Sequence, residues 1–318
     1  MNPKWTNVAV VGAGTIGLAW AALFANAGLQ VRVTDPRDDL DEAIDDALPM
    51  LAESIPGAEV AELRNRIDAT DDLAKAVENA QLVQENGPER LEFKQQLFAE
   101  IARHAPGEAI LASSSSGIVA SAIAAELPEE VAARLLIAHP FNPPQVVPLV
   151  EIVPGTTAEA VVQEAIAFYR DLGKTPVRIH KEVDGFVANR LQSTILRESI
   201  SLVQQGVVSA EELDTVVKAS LGGRYATIGP FESFHLGGGP GGIRHMMAHL
   251  GVGMADRWAE LGRPELDEPT ITSIVEQTEA AYGAGPEAYR ERARIRDRKH
   301  NALNNALFGI ETGADATN

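Results

Sequence analysis

The sequence contains no cysteine and has few aromatic and few basic residues. Without cysteine there are no disulfides, no thiolate metal ligands and no cysteine nucleophile, and a reducing compartment is permitted. Aromatic residues make up 5% of the 318 residues, so a rich aromatic cage is not evident. The formal net charge of −18 and the pI near 4.8 argue against binding to nucleic acid or to an anionic membrane.

Long hydrophobic runs are missing as well, and no stretch approaches the length of a membrane-spanning helix. Residues 1–6 lead directly into a strand-like run, without the basic start, apolar region and cleavage site of a secretory signal. We therefore expect a soluble, cytoplasmic protein with no membrane partner. About 45% of the residues are hydrophobic, which is enough for two domains with one core each.

What the sequence does contain is a strand, turn and helix pattern close to its N-terminus. An apolar run at 7–11 leads into the turn Gly12-Ala-Gly-Thr-Ile-Gly17, and an alanine-rich, helix-like segment follows at 18–27. The first two glycines would let the backbone turn tightly and approach a pyrophosphate, and the third would let the helix pack closely on the strand. The residues predicted to contact a dinucleotide here are Gly12, Gly14, Thr15, Ile16 and Gly17.

A second strand-like run, at 30–34, ends in Asp35. An acidic side chain at this distance from a glycine turn accepts hydrogen bonds from the adenosine ribose, and it would repel a 2′-phosphate. NAD is therefore the predicted cofactor, although Arg37 could accommodate the phosphate of NADP. A glycine-rich turn in another kind of α/β protein is the alternative, and it is less favoured because strand, helix and acidic residue occur together.

Strand-like and helix-like segments alternate over the first 180 residues. Strands are predicted at 81–84, 109–112, 134–138 and 177–180, and helices at 91–104 and 119–127. This alternation predicts an α/β fold with a doubly wound, mostly parallel Rossmann-type sheet. From residue 188 onward the apolar residues recur with helical spacing, which predicts an all-helical C-terminal domain. We place the NAD-binding domain at 1–184 and the helical domain at 185–318.

Ligands of such sheets bind at the carboxyl ends of the strands. The segment from His139 to Glu151, His-Pro-Phe-Asn-Pro-Pro-Gln-Val-Val-Pro-Leu-Val-Glu, follows one of these strands and offers an imidazole and a carboxylate that could orient it. This pair suits a dehydrogenase, because a base must take the hydroxyl proton of an alcohol while hydride leaves the same carbon. Taken alone, His139 could instead be a structural histidine in a turn, and Glu151 a surface charge at a strand end.

Several motifs occur together in one order along the chain. They are Gly12-x-Gly-x-x-Gly17, the serines at 113–116 before Gly117, His139-Pro-Phe-Asn-Pro143, Leu149-Val-Glu151 and Asp184-Gly-Phe-Val-Ala-Asn-Arg190. This set resembles the 3-hydroxyacyl-CoA dehydrogenase family from the first strand past residue 190. The resemblance implies an NAD-dependent dehydrogenase whose helical domain closes the active site and forms a homodimer interface. Residues 223–235 and the basic C-terminal segment resemble the branch of lambda-crystallin and L-gulonate 3-dehydrogenase, and residues 237–249 resemble L-carnitine dehydrogenase.

The resemblance also implies roles for individual residues. His139 matches the family's catalytic histidine, and Glu151 matches the carboxylate that holds it. Ser116 and Asn189 match the two polar residues beside the reacting oxygen, with Ser115 as the alternative if the serine register shifts by one. The family's contacts to the ribose and nicotinamide end of the cofactor fall on Glu89, Lys94 and Asn142.

The substrate is predicted from charge. Residues 38–62 carry nine carboxylates and no basic side chain; this stretch is interpreted as a solvated helical face, and it is the opposite of what the polyanion CoA would need near the cleft. We therefore expect a small free L-3-hydroxy acid, similar to L-gulonate, with Arg224 as the candidate partner of its carboxylate. L-Carnitine and an L-3-hydroxyacyl-CoA are the alternatives. A crystallin-like structural or NAD-sensing protein is the non-enzymatic alternative, which the complete set of predicted catalytic residues disfavours.

Other polar features have simpler interpretations. His245 and His249 stand four apart on a predicted helix face, but no zincin glutamate lies between them, so no metal site is predicted. The glycine-rich stretch 237–242 is interpreted as a mobile connection, with a lid or hinge beside the substrate as the alternative. From the residues alone, the serines at 113–116 and Asn189 could simply cap helices.

Overall fold

The computed structural model describes residues 4–308, apart from the side chains at 252 and 255. Residues 1–3 and 309–318 lie outside the described residues. The first range belongs to the segment interpreted above as lacking a secretory signal, and the second to the predicted helical domain. The described residues form two compact units, one comprising residues 4–190 together with Asp297–Ala302, and the other comprising Leu191–Arg296 and residues 303–308. The domain boundary between 184 and 185 remains a prediction.

The first unit is built around one eight-stranded sheet. Its strands are β1 (Asn7–Val11), β2 (Gln30–Thr34), β3 (Ile67–Thr70), β4 (Leu82–Glu85), β5 (Ile110–Ser113), β6 (Leu135–Pro140), β7 (Leu149–Val153) and β8 (Thr175–Arg178). They lie in the order β3-β2-β1-β4-β5-β6-β7-β8, and all neighbours are parallel except β6 and β7. The predicted fold class, a mostly parallel Rossmann-type sheet followed by a helical domain, is confirmed.

Helices cover both faces of this sheet, so its strands are apolar on both sides. Along β1, Val8 and Val10 belong to one buried cluster and Ala9 and Val11 to another, because successive side chains point to opposite faces. The helices of this unit are α1 (Thr15–Asn26), α2 (Leu40–Ser54), α3 (Val60–Arg64), α4 (Leu73–Val77), α5 (Leu91–His104), α6 (Ala120–Ala124), α7 (Glu129–Ala132) and α8 (Glu159–Asp171). Helix α1 begins at Thr15, inside the glycine turn, rather than at the predicted residue 18.

The strand order changes direction at β1, which has β2 on one side and β4 on the other. This is the switch point of the sheet. In doubly wound folds the segments that follow the two strands at this point, here β1 and β4, diverge and leave a crevice. The glycine turn follows β1, and residues 86–89 follow β4. The sheet therefore places the predicted cofactor turn at the position where doubly wound folds bind dinucleotides.

The remaining helices lie mostly in the second unit. They are α9 (Ala188–Gln204), α10 (Ala210–Val217), α11 (Gly223–Thr227), α12 (Pro230–Gly237), α13 (Gly242–Glu260), α14 (Glu268–Tyr282) and α15 (Gly285–Phe308), with a π-helical turn at Lys218–Gly222 and a 3₁₀ turn at Gly239–Gly241. The stretch 237–242, predicted as a connection, is thus the 3₁₀ turn between α12 and α13 with the helix ends beside it. Within residues 4–308, no helix is both long and apolar enough to cross a membrane.

Candidate active site

Two of the three glycines in the turn after β1 are required by the protein's own packing. Gly12 has a φ of +98°, and a Cβ on it would lie 2.9 Å from the backbone carbonyl carbon of Asn86. A Cβ on Gly17 would lie 1.9 Å from the carbonyl oxygen of Gly12. A Cβ on Gly14, by contrast, would meet no protein atom within 4 Å. The protein's packing therefore does not account for glycine at position 14.

The open side of Gly14 fits the pyrophosphate of NAD. Gly14 is the residue that caps α1, and the backbone amides of Thr15 and Ile16 in the first turn have no partner within the helix. These amides and the helix dipole favour an anion, and a side chain at Gly14 would occupy the space that a phosphate needs. The turn is therefore suited to hold the cofactor, which supplies the hydride acceptor when it is bound.

Asp35, at the end of β2, ties the glycine turn to the second strand. One of its oxygens accepts a hydrogen bond from the backbone amide of Ala13 at 2.7 Å, and the other accepts from the amide of Arg37 at 3.1 Å. The guanidinium of Arg37 donates two hydrogen bonds to Asp39, at 2.6 and 2.9 Å, which raises the pKa of Arg37 and lowers that of Asp39. Arg37 is thus already paired with a carboxylate, an arrangement that favours NAD over NADP.

Glu85 is a buried carboxylate at the end of β4 that sequence reasoning missed. Its two oxygens accept hydrogen bonds from the ammonium of Lys94 at 2.8 and 2.9 Å, and Lys94 is 1% exposed. Glu85 also accepts from the amide of Gly87 at 2.6 Å and from the hydroxyl of Ser113 at 2.5 Å. The pair fixes the loop at 86–89. Glu85 ends a central strand that is covered on both faces, and a carboxylate in that position needs a buried partner. Its position at the end of this strand is the signal in the sequence that could have identified it.

Glu89, a predicted cofactor contact, binds the loop that follows β5. Its Oε1 accepts hydrogen bonds from the hydroxyl of Ser115 at 2.7 Å and from the amides of Ser116 and Gly117 at 3.0 and 2.8 Å. Its Oε2 lies 3.6 Å from the ammonium of Lys94. Burial raises the pKa of Glu89, but the hydrogen bonds to its carboxylate outweigh this and lower it. The carboxylate therefore joins the segments that follow β4 and β5.

The four consecutive serines after β5 have four different environments. Ser113 donates to Glu85, and Ser115 is 2% exposed and donates both to Glu89 and to the carbonyl of Ile118. Ser114 belongs to a partly buried polar network with Gln84, Asn86, Trp20 and Tyr169. Ser116 is exposed, and only its backbone amide is bonded to Glu89. Of the two serines predicted beside the substrate, Ser116 therefore has the more available hydroxyl.

His139 and Glu151 form a buried pair across the only antiparallel strand pair among the described residues. The register of β6 and β7 places His139 directly opposite Glu151. The Nδ1 of His139 lies 2.9 Å from Oε2 of Glu151, and the two side chains are 4% and 2% exposed. Because Glu151 is an acceptor, its partner Nδ1 carries the hydrogen, which leaves Nε2 as the nitrogen able to accept a proton. The antiparallel pairing of β6 and β7 thus brings two residues that are 12 positions apart into contact.

The second oxygen of Glu151 is held by the start of α9. Oε1 accepts hydrogen bonds from the backbone amides of Val187 and Ala188, at 2.9 and 3.1 Å. Burial raises the pKa of Glu151, but the bonds from His139 and these two amides outweigh it and lower the pKa. Glu151 therefore stays ionised at neutral pH. Phe186, which is fully buried, packs its ring 5.3 Å from the imidazole and helps to fix its plane.

The other predicted residues lie on several elements. Asn189 is partly buried in the first turn of α9, one residue after the amides that hold Glu151. Asn142 is exposed in the loop between β6 and β7 and precedes a cis proline. Arg224 belongs to the second unit and is exposed. His245 and His249 stack on α13 with ring centroids 4.1 Å apart, and residues 4–308 contain no group of three or more ligand side chains that could hold a metal.

A glycine turn at the switch point of a doubly wound sheet together with a buried histidine–glutamate pair is the arrangement expected of an NAD-dependent dehydrogenase. Two family domains match the chain in the corresponding order. Residues 7–183 match the NAD binding domain of 3-hydroxyacyl-CoA dehydrogenase, and residues 185–265 match the C-terminal domain of the same enzyme. The chain belongs to the 3-hydroxyacyl-CoA dehydrogenase family.

Relatives and solved structures agree with this family. An L-carnitine dehydrogenase of Nocardiopsis dassonvillei is 38% identical over 97% of this chain and 96% of its own length. A 3-hydroxyacyl-CoA dehydrogenase of Gibberella moniliformis is 38% identical over 89% of this chain and 90% of its own. The structure of an NAD+-dependent dismutase, 5-formyl-3-hydroxy-2-methylpyridine 4-carboxylic acid 5-dehydrogenase, has a TM-score of 0.75 at 30% identity and covers 96% of this chain and 100% of its own. These relatives are named as dehydrogenases, like the enzyme that the sequence predicts.

Proposed function

We propose that the protein oxidises the secondary alcohol of a small free L-3-hydroxy acid to the 3-keto acid, with NAD as the hydride acceptor. The observation that carries this proposal is the buried contact of 2.9 Å between His139 and Glu151, in a sheet whose glycine turn suits NAD. In that arrangement the imidazole is oriented, and its Nε2 is the free proton acceptor. The chemistry needs no metal, because the base and the hydride acceptor together complete the oxidation.

The proposed roles follow from the partners of each group. The Nε2 of His139 takes the hydroxyl proton as hydride leaves the carbinol carbon, and ionised Glu151 stabilises the imidazolium that forms. In the direction of reduction, the imidazolium returns that proton to the carbonyl oxygen. Ser116 and Asn189 are proposed to donate hydrogen bonds to the substrate oxygen, where negative charge develops during hydride transfer. Since the Ser115 hydroxyl is already committed to Glu89 and Ile118, the assignment to Ser116 is preferred.

The cofactor assignments are also proposals. Glu89 and Asn142 are proposed to face the ribose and nicotinamide end, in keeping with their positions after β4 and β6. The ammonium of Lys94 is already bonded to Glu85 and to the carbonyl of Gly87 at 3.3 Å. We therefore propose that Lys94 holds the loop at 86–89 in place, in addition to the contact with the cofactor that was predicted for it. The homodimer and the cytoplasmic location remain predictions.

Among free 3-hydroxy acids, L-carnitine is the first candidate to test. The resemblance of residues 223–235 favours L-gulonate, but relatives 37–39% identical to this chain are named L-carnitine dehydrogenase. L-Carnitine is itself a free 3-hydroxy acid, so both substrates fit the same proposed chemistry. A 3-hydroxyacyl-CoA is disfavoured because α2 and α3 carry six carboxylates against one basic side chain, Arg64, which pairs with Asp41 and Asp45; the remaining negative charge would repel the polyanion.

The proposal is tested by following NADH formation with L-carnitine, L-gulonate, 3-hydroxybutyrate and 3-hydroxybutyryl-CoA. We expect turnover with at least one free acid, and a kcat/KM for the thioester that is lower by about tenfold or more. His139→Ala should lower kcat by roughly 10²- to 10⁴-fold, because it removes the base.

Two results would contradict the proposal. Comparable kcat/KM values for the thioester and the best free acid would overturn the choice of substrate class. Turnover that is unchanged in His139→Ala would overturn the proton-transfer mechanism, provided that NAD binding shows the variant to be folded.

A further inference from the structure

Lys174 is a buried ammonium group that the proposed mechanism does not use. It directly precedes β8 and is 7% exposed. Its Nζ donates hydrogen bonds to the carbonyl oxygens of Pro144 and Val147, the latter at 2.9 Å. No carboxylate among residues 4–308 forms an ion pair with it, and burial lowers its pKa to about 7. Burying an amine without a carboxylate partner is unfavourable, so a compensating role is expected.

Both acceptors of Lys174 lie in the loop that joins the two proposed catalytic strands. This loop, residues 141–148, contains three prolines, which have no backbone amide to donate. Its internal hydrogen bonds run from the amides of Val146 and Val147 to the carbonyl of Pro143. The carbonyls of Pro144 and Val147 therefore need a donor from elsewhere in the protein, and Lys174 supplies it.

Lys174 also lies against the helix that follows the glycine turn. Its Nζ is 5.8 Å from the ring centroid of Trp20, a fully buried residue of α1. The backbone amide of the next residue, Thr175, donates to the carbonyl of Pro148 at the end of the same loop. One short segment thus contacts both the loop that carries Asn142 and the helix of the cofactor turn.

We propose that Lys174 is a positioning residue that fixes the 141–148 loop, and through it Asn142, against the cofactor-binding half of the sheet. This inference rests on the proposed role of Asn142 beside the cofactor. The pairing of His139 with Glu151 does not depend on Lys174, because the register of β6 and β7 and the amides of α9 hold that pair. Lys174 is therefore assigned to cofactor binding and alignment. The position of the base, His139, is set by the strands and by the start of α9.

Lys174→Met tests this assignment, since methionine is similar in length but has no donor. Arg134 offers a matched control. It is also 7% exposed, and its guanidinium donates to two carbonyls, those of Pro106 and Ala109 at 2.9 and 3.0 Å. Arg134 precedes β6 and so lies at the amino ends of the parallel strands, whereas the glycine turn lies at their carboxyl ends. Arg134→Met removes an equivalent set of bonds away from the proposed site.

The dissociation constant of NAD+ should be measured by isothermal titration calorimetry, and the melting temperature by differential scanning calorimetry. We expect both variants to lower the melting temperature, but only Lys174→Met to weaken NAD+ binding, by about tenfold. Lys174→Gln retains an amide NH2 group as a donor on a shorter side chain and should restore part of the affinity; it also serves if the methionine variant does not fold. In an Asn142→Ala background, Lys174→Met should change the affinity little, because the two substitutions act on one contact.

The proposal is overturned if NAD+ affinity is unchanged in Lys174→Met, or if Arg134→Met weakens it equally. It is also overturned if the effects of Lys174→Met and Asn142→Ala on affinity are additive. These measurements need no substrate, so a wild-type protein that binds NAD+ but oxidises none of the proposed hydroxy acids would contradict the proposed function alone.

Discussion

At the scale of single residues, the site is built from carboxylates that each hold a backbone segment. Asp35 accepts from the amide of Ala13, Glu85 from Gly87, Glu89 from Ser116 and Gly117, and Glu151 from Val187 and Ala188. In each case a side chain from one strand end or loop orders a neighbouring loop or helix start. The site is therefore ordered by the protein itself, as preorganised binding requires.

Glu151→Gln should lower kcat by roughly 10²-fold or more while NAD binding is retained, because the amide cannot stabilise imidazolium as a carboxylate does. It should also change the acid dependence of stability. The pKa of Glu151 is lowered in the folded protein from an ordinary value of 4.5. The contribution of ionised Glu151 to the free energy of unfolding is therefore fully present above pH 4.5. It is lost as the pH falls through the lowered pKa of the folded protein.

Urea titrations between pH 7 and pH 3 measure this effect as the difference in free energy of unfolding between the wild type and Glu151→Gln. The difference should shrink on acidification. An acid dependence that is the same in both proteins would contradict the role assigned to the ionised carboxylate.

The two candidate serines can be separated by paired substitutions. Ser116→Ala removes an exposed hydroxyl and should lower kcat about tenfold with little change in stability. Ser115→Ala removes the donor to the Ile118 carbonyl and one of the hydrogen bonds to Glu89, and it should cost about 1 to 3 kcal/mol of stability. Steady-state kinetics and urea denaturation measure the two effects. Full activity in Ser116→Ala would remove that residue from the mechanism.

Sequence reasoning found the residues whose chemistry is visible in one segment. His139 and Glu151 stood out because one short segment contains a titratable base and a carboxylate. Glu85 and Lys174 were missed because a lone Glu or Lys in a sequence resembles a surface charge. Burial, which distinguishes them, is a property of the folded sheet.

At the scale of elements, local patterns predicted some strands better than others. The predicted bounds of β1 and β2 match the structure, because both are apolar runs next to strong turn signals. The strand β3, Ile-Asp-Ala-Thr, has one large apolar residue and was not predicted. The strand β7 and its antiparallel direction were also not predicted, since a short apolar run carries no information about whether it pairs parallel or antiparallel.

The glycine turn allows binding and packing to be separated. Gly17→Ala would force a Cβ to within 1.9 Å of the Gly12 carbonyl oxygen and should destabilise the protein by at least about 1 to 3 kcal/mol. Gly14→Ala meets no protein atom and should cost less than about 1 kcal/mol. It should nevertheless weaken NAD binding by tenfold or more, because the methyl group fills the proposed phosphate space. Calorimetry and urea denaturation measure the two quantities, and unchanged NAD affinity in Gly14→Ala would contradict the placement of the pyrophosphate.

At the scale of the whole molecule, the second unit has large apolar side chains exposed to solvent. Phe231 is 85% exposed, Trp258 63% and Leu266 64%. Where such side chains lie together in one patch, they commonly mark a protein interface. Together with the predicted homodimer, this exposure leads us to expect sedimentation at twice the chain mass of 33.9 kDa. Phe231→Glu with Trp258→Glu should shift the protein toward the monomer; a wild-type monomer at all concentrations would contradict the prediction.

The hairpin of β6 and β7 also bears on how the protein folds. His139 and Glu151 are 12 positions apart, whereas the hydrogen bonds from Asn86 to Val11 and from Tyr169 to Gln84 span 75 and 85 positions. Closing the longer loops costs roughly 1.5 kcal/mol more in chain entropy. Contacts with short loops form early in folding and long-range ones late. The proton-transfer pair can therefore assemble as a local event, whereas the cofactor crevice exists only once strands distant in the chain have come together.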